Sequence, residues 1–388
     1  MLRKLSLSIR KIQGRKEIKE NITRFAKWQE EIAQLKANNN NAKKLLIIRL
    51  DDIGDYLLFR NTLSAYRESP KWQGYEITLL GNVMWRSVYE FADNNAADKV
   101  IWVNKNEYFD NNEYREQLWQ SLRNEGFDTV ICPSRARPII IDDACMLAAG
   151  ATHNISGNND LKYDEWNLLS DKLYTALYTA PKPIHEFLYN VAFANWCCGT
   201  HINISRPHIN TPEVTTSMSK PYILCFVGGS KKSHRWPATH WIELIELCNK
   251  DGHYDFVISG GNGDTDLADT IAAKVQVNNI TGKVTIPEVA GWMHQAAGVI
   301  TNDTMSAHLA VSTNTPTLIV ANGDNFYKFC DYKGAGFAKT DCVYPQHFLS
   351  EWKRHNYQPF KNYVAVTKDI STITAGRVYT ALKQLLNK

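Results

Sequence analysis

An aspartate, a threonine and a histidine lie where a predicted strand leads into a predicted helix, at a spacing that could form a binding site. The segment VITNDTMSAH (299–308) ends an apolar run and opens a short apolar helix near Met305. Helix N-termini offer free N–H groups and a partial positive charge, and both favour phosphate. Asp303 or Thr304 can cap this helix, and His308 lies one turn later on the same side. The spacing predicts either a phosphate site or an ordinary cap with an incidental histidine.

A second candidate anion site is the basic loop FVGGSKKSHRWP (226–237), which follows a strand and precedes a helix. Gly228 and Gly229 permit close approach of a backbone to a ligand. Cationic donors stabilise a departing pyrophosphate. The loop holds four candidate donors, Lys231, Lys232, His234 and Arg235. The alternative is a solvated basic loop.

The next loop along the second half, SGGNGDTD (259–266), is rich in glycine and also follows a strand. It lacks the lysine of a phosphate-binding P-loop. Asp264 either caps the following helix or holds a ribose hydroxyl.

A carboxylate that can serve as a general base lies in the first half of the chain. The segment RLDDIGDYLLF (49–59) places Asp51, Asp52 and Asp55 around Gly54, again between a strand and a helix. The alternative is that Asp55 caps its helix. No metal site is predicted, because the side chains of adjacent aspartates point apart.

Two arginines, Arg135 and Arg137, follow another predicted strand in PSRARP (133–138). Paired arginines at a strand end suit an anionic acceptor. They are equally typical of surface charges.

These loops belong to an alternation of short apolar strands and helices that predicts parallel sheets covered by helices on both faces. The predicted strands are 44–50, 75–80, 98–103, 127–133, 221–227, 255–259, 278–282, 298–301 and 317–321. Two doubly wound α/β domains then face each other across a cleft, and ligands bind beyond the carboxyl ends of the strands. The predicted boundaries are a helical extension and linker over 1–43, domains over 44–210 and 211–365, and a C-terminal helix over 366–388 that packs back on the first domain.

Composition agrees with a two-domain enzyme. The 388 residues are too many for one ordinary core, and 44% are hydrophobic and 22% charged. The eight cysteines form no CxxC pair, which predicts reduced thiols, no zinc and a cytoplasmic location. A net charge of +4 is modest, and no nucleic-acid partner is predicted.

The charge is concentrated in MLRKLSLSIRKIQGRKEIKE (1–20). Apolar residues at helical spacing between basic ones predict an amphipathic helix that can rest on an anionic membrane surface. A solvated or frayed N-terminal tail is the alternative.

Taken together, several segments resemble glycosyltransferase family 9, the bacterial ADP-heptose:lipopolysaccharide heptosyltransferases. LLIIRLDDIGDYLLF resembles the family's first strand and its Ile-Gly-Asp loop. PIHEFLYN, GGSKKSHRWP, GGNGD, ITNDTMSAHLA and NTPTLIV resemble later landmarks in the same order. The Asp-Thr-x-x-x-His spacing is the most specific of them.

The resemblance implies a GT-B fold and inverting transfer without a metal or cofactor. The co-substrate is a nucleotide-diphosphate sugar, ADP-linked by family default, and the acceptor is a lipid-linked or anionic saccharide. Asp55 is the implied general base, with Gly54, Arg60, Arg135 and Arg137 on the acceptor side. The implied donor residues are Gly228, Gly229, Ser230, Lys232, His234, Arg235, Asp264, Asp303, Thr304, Met305, Ser306 and His308.

Three features depart from the family pattern. His234 stands where the family has lysine, Met305 stands where it has glycine, and the basic extension is additional. The first two leave open a different sugar, a GT-B hydrolase or epimerase that acts without an acceptor, or a non-catalytic sugar-binding relative.

Overall fold

The computed structural model describes residues 2–36, 43–161, 163–181, 184–216, 218–229, 231–357 and 369–386, with the side chains of residues 2–15 excepted. Three predictions lie outside this description. They are the membrane-binding side chains of the first fifteen residues, the linker at 37–42 and the donor-site role of Ser230.

Two parallel six-stranded sheets form the core of the protein. The first sheet contains β1 (Lys44–Arg49), β2 (Glu76–Asn82), β3 (Lys99–Val103), β4 (Thr129–Cys132), β5 (His153–Gly157) and β6 (Ala176–Tyr178). The second contains β7 (Tyr222–Phe226), β8 (Asp255–Ser259), β9 (Asn278–Asn279), β10 (Gly298–Asn302), β11 (Thr317–Val320) and β12 (Thr340–Val343). Their strand orders are β3-β2-β1-β4-β5-β6 and β12-β11-β10-β7-β8-β9. The predicted α/β class with two doubly wound domains is confirmed.

Helices cover both sheets. In the first half they are α1 (Leu2–Ala33), α2 (Ile53–Phe59), α3 (Leu63–Glu68), α4 (Arg86–Ala92), α5 (Lys105–Asp110), α6 (Asn112–Glu125), α7 (Ala144–Ala149), α8 (Asp164–Asp171) and α9 (Glu186–Cys198). In the second half they are α10 (Ala238–Asp251), α11 (Thr265–Ala272), α12 (Ile286–Gln295), α13 (Met305–Ser312), α14 (Phe326–Phe329), α15 (Gln346–Arg354) and α16 (Ala375–Leu386). Gly252 ends α10 in a left-handed conformation, and the Thr285–Glu288 capping box begins α12.

Strand order decides where the polar loops lie. In each sheet the first strand along the chain sits in the middle, so the direction of winding reverses between β1 and β4 and between β7 and β10. A crevice opens at such a reversal, at the carboxyl ends of the strands. The Asp55 loop follows β1, the basic loop follows β7, and the Asp303–Thr304 turn follows β10. The fold therefore brings three predicted loops to the two switch points.

The two domains touch through the helices that begin at these switch points. Helix α2 packs directly against α13. One apolar cluster contains Leu57 of α2 and Leu309 of α13 and extends into both sheets. The segment between α9 and β7, which includes the predicted boundary at 210, is bound to α13 where the Ile209 N–H donates to the Ser312 carbonyl at 3.1 Å.

The predicted position of the C-terminal helix is wrong. Helix α16 packs on α10, β11 and β12 of the second domain, and Val378 and Leu382 enter that domain's core. The sequence of this helix shows an apolar stripe, but the stripe does not indicate which apolar surface of the protein it packs against. The first domain is covered instead by α1, through Phe25, Trp28 and Ile32.

Three strands, β5, β6 and β12, were not predicted, because their sequences lack the long apolar runs of central strands. All eight cysteines are free thiols, and seven are buried. Among the described residues, no helix combines the length and apolar content needed to cross a bilayer.

Candidate active site

Asp55 lies in the first turn of α2, the helix that packs against α13 of the second domain. Asp52, not Asp55, occupies the N-cap position, so the interpretation of Asp55 as the helix cap is wrong. Asp55 is half-buried, and desolvation raises the pKa of its carboxyl. The charges of Arg49 and Lys328 oppose this rise in pKa, and that of Asp52 adds to it. A carboxyl with a raised pKa suits proton abstraction at neutral pH better than an ordinary aspartate does.

Arg49 holds the Asp55 turn in place. Its fully buried guanidinium donates to the Asp55 carbonyl at 3.2 Å and pairs with the Asp51 carboxylate at 2.9 Å. Glu186, at 4.0 Å, faces it from α9. Asp51 is thereby engaged inside the domain, and burial raises its pKa well above the ordinary value. Sequence inspection missed Arg49 and Glu186, although the charge at the end of the apolar strand was a visible signal.

The N-terminus of α13 faces Asp55 from the second domain. Thr304 is extended at the N-cap, with φ −147°, and its hydroxyl lies 2.6 Å from the Ser306 hydroxyl. Ser306 is buried and also contacts the Thr301 hydroxyl at 2.5 Å. Within the described residues, the Thr304 side chain caps none of the helix N–H groups. The Ala307 N–H donates to the Thr304 carbonyl at 3.0 Å, and the N–H groups of Met305 and Ser306 remain available to an anion.

Asp303 and Met305 flank this turn differently. Asp303 is 3% exposed, and its carboxylate accepts from the Asn325 side chain at 3.0 Å. This hydrogen bond connects the turn to the loop before α14. The predicted contact of Asp303 with a sugar stays a prediction. Met305 is half-buried at the mouth of the turn, where its side chain can restrict the sugar pocket.

His308 lies in the seam between the domains. Its Nδ1 hydrogen-bonds the Tyr332 hydroxyl, and burial lowers its pKa to about 4, so the ring is neutral at pH 7. A β-carbon on Gly54 would lie 2.8 Å from His308 Cδ2 and 3.5 Å from Met305 Cα. Gly54 thus allows α2 and α13 to meet. The predicted contact of His308 with a diphosphate stays a prediction.

In the basic loop after β7, His234 and Arg235 bind groups of the protein, whereas Lys232 is exposed to solvent. Both nitrogens of His234 face acceptors of the protein, the Asp303 carbonyl at 3.2 Å and the Asp324 carboxylate at 3.3 Å. The hydrogen bond from Asp324 raises the pKa of His234. Arg235 donates to the Gly229 carbonyl and pairs with Asp264 at 3.3 Å.

The glycines of this loop are needed for packing. A β-carbon on Gly228 would lie 1.9 Å from Asp264 Oδ2, and one on Gly229 would lie 3.2 Å from Thr304 Cγ2. Asp264 accepts from the Gly261 N–H at 3.0 Å, which closes the glycine-rich turn. This contact agrees with a local structural role, and the ribose contact of Asp264 stays a prediction.

The three arginines predicted to bind the acceptor are buried structural groups, which corrects that interpretation. Arg135 pairs with Asp160 and Arg137 with Asp171, each at 2.9 Å. Arg60 is 5% exposed and meets both carboxylate oxygens of Asp93, at 2.7 and 2.8 Å. Buried guanidinium groups with internal partners are held away from an incoming saccharide.

Arg60→Ala is expected to lower the free energy of unfolding by about 3 kcal/mol, because the half-buried Asp93 carboxylate loses its cation and keeps only the hydrogen bond from the Tyr56 hydroxyl at 2.7 Å. Arg67→Ala is the matched control. Arg67 pairs with Asp98 at 2.9 Å on the surface, where removal costs about 1 kcal/mol or less. Urea titration measures both. If the Arg60→Ala protein instead has unchanged stability and a raised KM for the acceptor, Arg60 binds the acceptor after all.

The loop between β11 and α14 was identified from sequence only as a strand-end loop, and its contributing residues were missed. Asn322 donates to the Ser233 carbonyl at 3.2 Å, Asp324 contacts His234, and Asn325 contacts Asp303. These short polar residues are typical of any turn, so the sequence contains no signal for their long-range partners. They join the basic loop and the α13 turn into one surface.

Comparison with known proteins gives one match to a protein-family model. The model of glycosyltransferase family 9 (heptosyltransferase) matches residues 200–320. The matched region includes the basic loop, Asp264 and the α13 turn, and Asp55 lies outside it. No curated protein sequence matches the chain.

Solved structures with the same fold include other proteins described as family 9 enzymes or heptosyltransferases. The family 9 glycosyl transferase from Veillonella parvula is 19% identical over 91% of this chain and 99% of that one, with a TM-score of 0.67. ADP-heptose LPS heptosyltransferase II of E. coli is 17% identical over 89% and 98%, with a TM-score of 0.62. E. coli heptosyltransferase WaaC with ADP-2-deoxy-2-fluoro heptose is 16% identical over 88% and 99%, also with 0.62. The likeness confirms the GT-B fold.

Proposed function

We propose that the protein is an inverting, metal-independent glycosyltransferase that moves a sugar from a nucleotide-diphosphate donor to a lipopolysaccharide core or another cell-surface glycan. By family default the donor is ADP-heptose, and a solved relative is described with a fluorinated ADP-heptose. One observation carries the proposal. Asp55, a carboxylate with a raised pKa, lies across the cleft from the open N-terminus of α13.

The proposed reaction uses both sides of the cleft. Asp55 takes the proton of the acceptor hydroxyl, and the oxygen attacks the anomeric carbon of the donor sugar. The bond from that carbon to the diphosphate oxygen breaks on the opposite face, and its electron pair leaves with the nucleoside diphosphate. The free N–H groups at the start of α13 stabilise the departing charge. Attack opposite the leaving group inverts the anomeric configuration.

The test is a panel of nucleotide sugars offered to the purified protein with and without lipopolysaccharide core saccharides. Mass spectrometry is expected to detect a saccharide extended by one sugar, and nucleotide release that depends on the acceptor. Release that never depends on an acceptor would identify a hydrolase or epimerase instead. Donor binding without turnover on any acceptor would identify a non-catalytic relative.

We also propose that the enzyme works at the cytoplasmic face of the inner membrane, because the first twenty residues are basic with apolar residues at helical spacing. Sedimentation with anionic vesicles, with and without residues 1–15, belongs to the same set of assays. Equal sedimentation of the two proteins would remove the membrane contact.

A further inference from the structure

Two basic side chains of the donor-side loop are already engaged by acceptors within the protein. His234 takes the place of the family's lysine, and both of its ring nitrogens face acceptors within the protein. Arg235 is engaged by Gly229 and Asp264. A nucleoside diphosphate leaves with two to three negative charges, so a leaving-group site gains from a cation close to the bond that breaks.

Helix α14 begins at the same edge of the sheet as the α13 turn. It follows β11, the strand paired with β10, and the loop before it is bound to both donor-side loops. Asn325 donates to the Asp303 carboxylate at 3.0 Å, and Asn322 donates to the Ser233 carbonyl at 3.2 Å. The position of α14 relative to the α13 turn is therefore fixed by hydrogen bonds at its start.

Lys328 of α14 is a half-buried lysine without an anionic partner. Within the described part of the chain, its ammonium makes no ion pair and has no hydrogen-bond acceptor. Its contact is with the ring of Phe329, whose centroid is 5.0 Å from Nζ. Half-buried ammonium groups are costly unless an anion or an acceptor meets them. Lys328 can therefore pair with an anion that enters the cleft without first breaking an ion pair or hydrogen bond among the described residues.

Two observations place Lys328 next to the reacting groups. The Phe329 ring lies 5.8 Å from the ring of His308, and His308 packs on Gly54, the neighbour of Asp55. The charge of Lys328 also lowers the pKa of Asp55, so the ammonium lies within electrostatic reach of that carboxyl. Lys328 belongs to the second domain, yet its charge acts on the carboxyl of Asp55 in the first domain.

We propose that Lys328 binds the outer phosphate of the nucleotide-diphosphate donor and stabilises that phosphate as it leaves. This rests on the proposed glycosyltransferase function. The outer phosphate is bonded to the sugar carbon that reacts, so it is the phosphate nearest Asp55, and Lys328 lies near Asp55. The ammonium thus supplies a positive charge that is not already engaged by an ion pair or hydrogen bond within the protein, from a different loop of the same domain.

The first test compares ADP with AMP in calorimetric titrations of the full chain. Lys328→Ala is expected to weaken ADP binding by about tenfold to a hundredfold, the usual contribution of a charge-assisted contact, and to leave AMP binding within about twofold. Lys328→Arg should retain most of the ADP affinity. Lys333→Ala is the matched control, because Lys333 is an exposed lysine close by that pairs with Asp341 at 3.3 Å.

The outcomes separate this assignment from the proposed function. Unchanged ADP affinity in Lys328→Ala, or equal losses for ADP and AMP, would overturn the role of Lys328 alone. A wild-type protein that binds none of ADP, UDP and GDP would overturn the proposed function and this assignment with it. If UDP or GDP binds in place of ADP, the comparison is made with that diphosphate and its monophosphate.

The second test is the pH profile of kcat/KM. Lys328→Ala removes a positive charge that lowers the pKa of Asp55, so the acidic limb of the profile should move to higher pH. The other charges that face Asp55, those of Arg49, Asp51 and Asp52, are unchanged in this variant. A variant that loses rate without a shift of this limb would indicate that Lys328 only supports the fold.

Discussion

Replacement of Asp55 by asparagine is expected to lower kcat by about 10²–10⁴-fold, the usual contribution of a general base. The amide has nearly the shape of the carboxylate but takes no proton. Donor affinity should change little, because the donor is bound by the other domain. The comparison of kcat with the dissociation constant of the nucleotide measures both effects.

Asp52→Asn is the control for this experiment. Asp52 is exposed and pairs with Lys105 at 3.1 Å, so its replacement should leave kcat within about twofold at neutral pH. Wild-type activity should fall as pH decreases through the raised pKa of Asp55, because only the ionised carboxyl accepts the proton. An Asp55→Asn enzyme with unchanged turnover would remove the assignment of the base.

Gly54→Ala is expected to reduce turnover by about tenfold to a hundredfold while changing the free energy of unfolding by less than about 1 kcal/mol. The added methyl group would lie 2.8 Å from His308 Cδ2, and His308 is held by Tyr332. Helices α2 and α13 must separate to accommodate it, which moves the base away from the donor turn. Steady-state kinetics and urea unfolding of the same preparation measure the two quantities.

Gly263→Ala provides the matched comparison. Gly263 lies in the glycine-rich donor-side turn, and a β-carbon there meets no described atom within 4 Å. Both its activity and its stability should stay close to those of the wild type. Normal turnover in Gly54→Ala would show that the close contact of the two helices is not required for transfer.

The sequence alone was sufficient for the central strands and for the loops that follow them. Strands such as β1, β7 and β10 are buried on both faces, so they read as continuous apolar runs. The order of strands and helices then required parallel sheets, and parallel sheets place every such loop at one edge. The Asp55 turn and the α13 turn could therefore be predicted to share a cleft.

The strands β5, β6 and β12 and the surface that the last helix covers could not be predicted in this way. The edge strand β6 has three half-buried residues, and helix α16 has a stripe that fits any apolar surface. Which surface it covers depends on the path of the whole chain, and that path leads α16 to α10 and β11.

The roles of the charged side chains were decided only by tertiary structure. Arg135 and Arg137 were predicted to bind the acceptor or to be surface charges, and Arg60 was assigned to the acceptor by the family resemblance. Their carboxylate partners, Asp160, Asp171 and Asp93, lie 25, 34 and 33 residues away along the chain. Lys328 was not noticed, because a single lysine in a four-residue helix has no local signal. By itself the sequence determined most of the strands and the edge at which ligands bind, since local apolar patterning specifies both. The tertiary structure decided which charges are neutralised inside the protein and which face the cleft, because charges interact through space between residues that are distant in the chain.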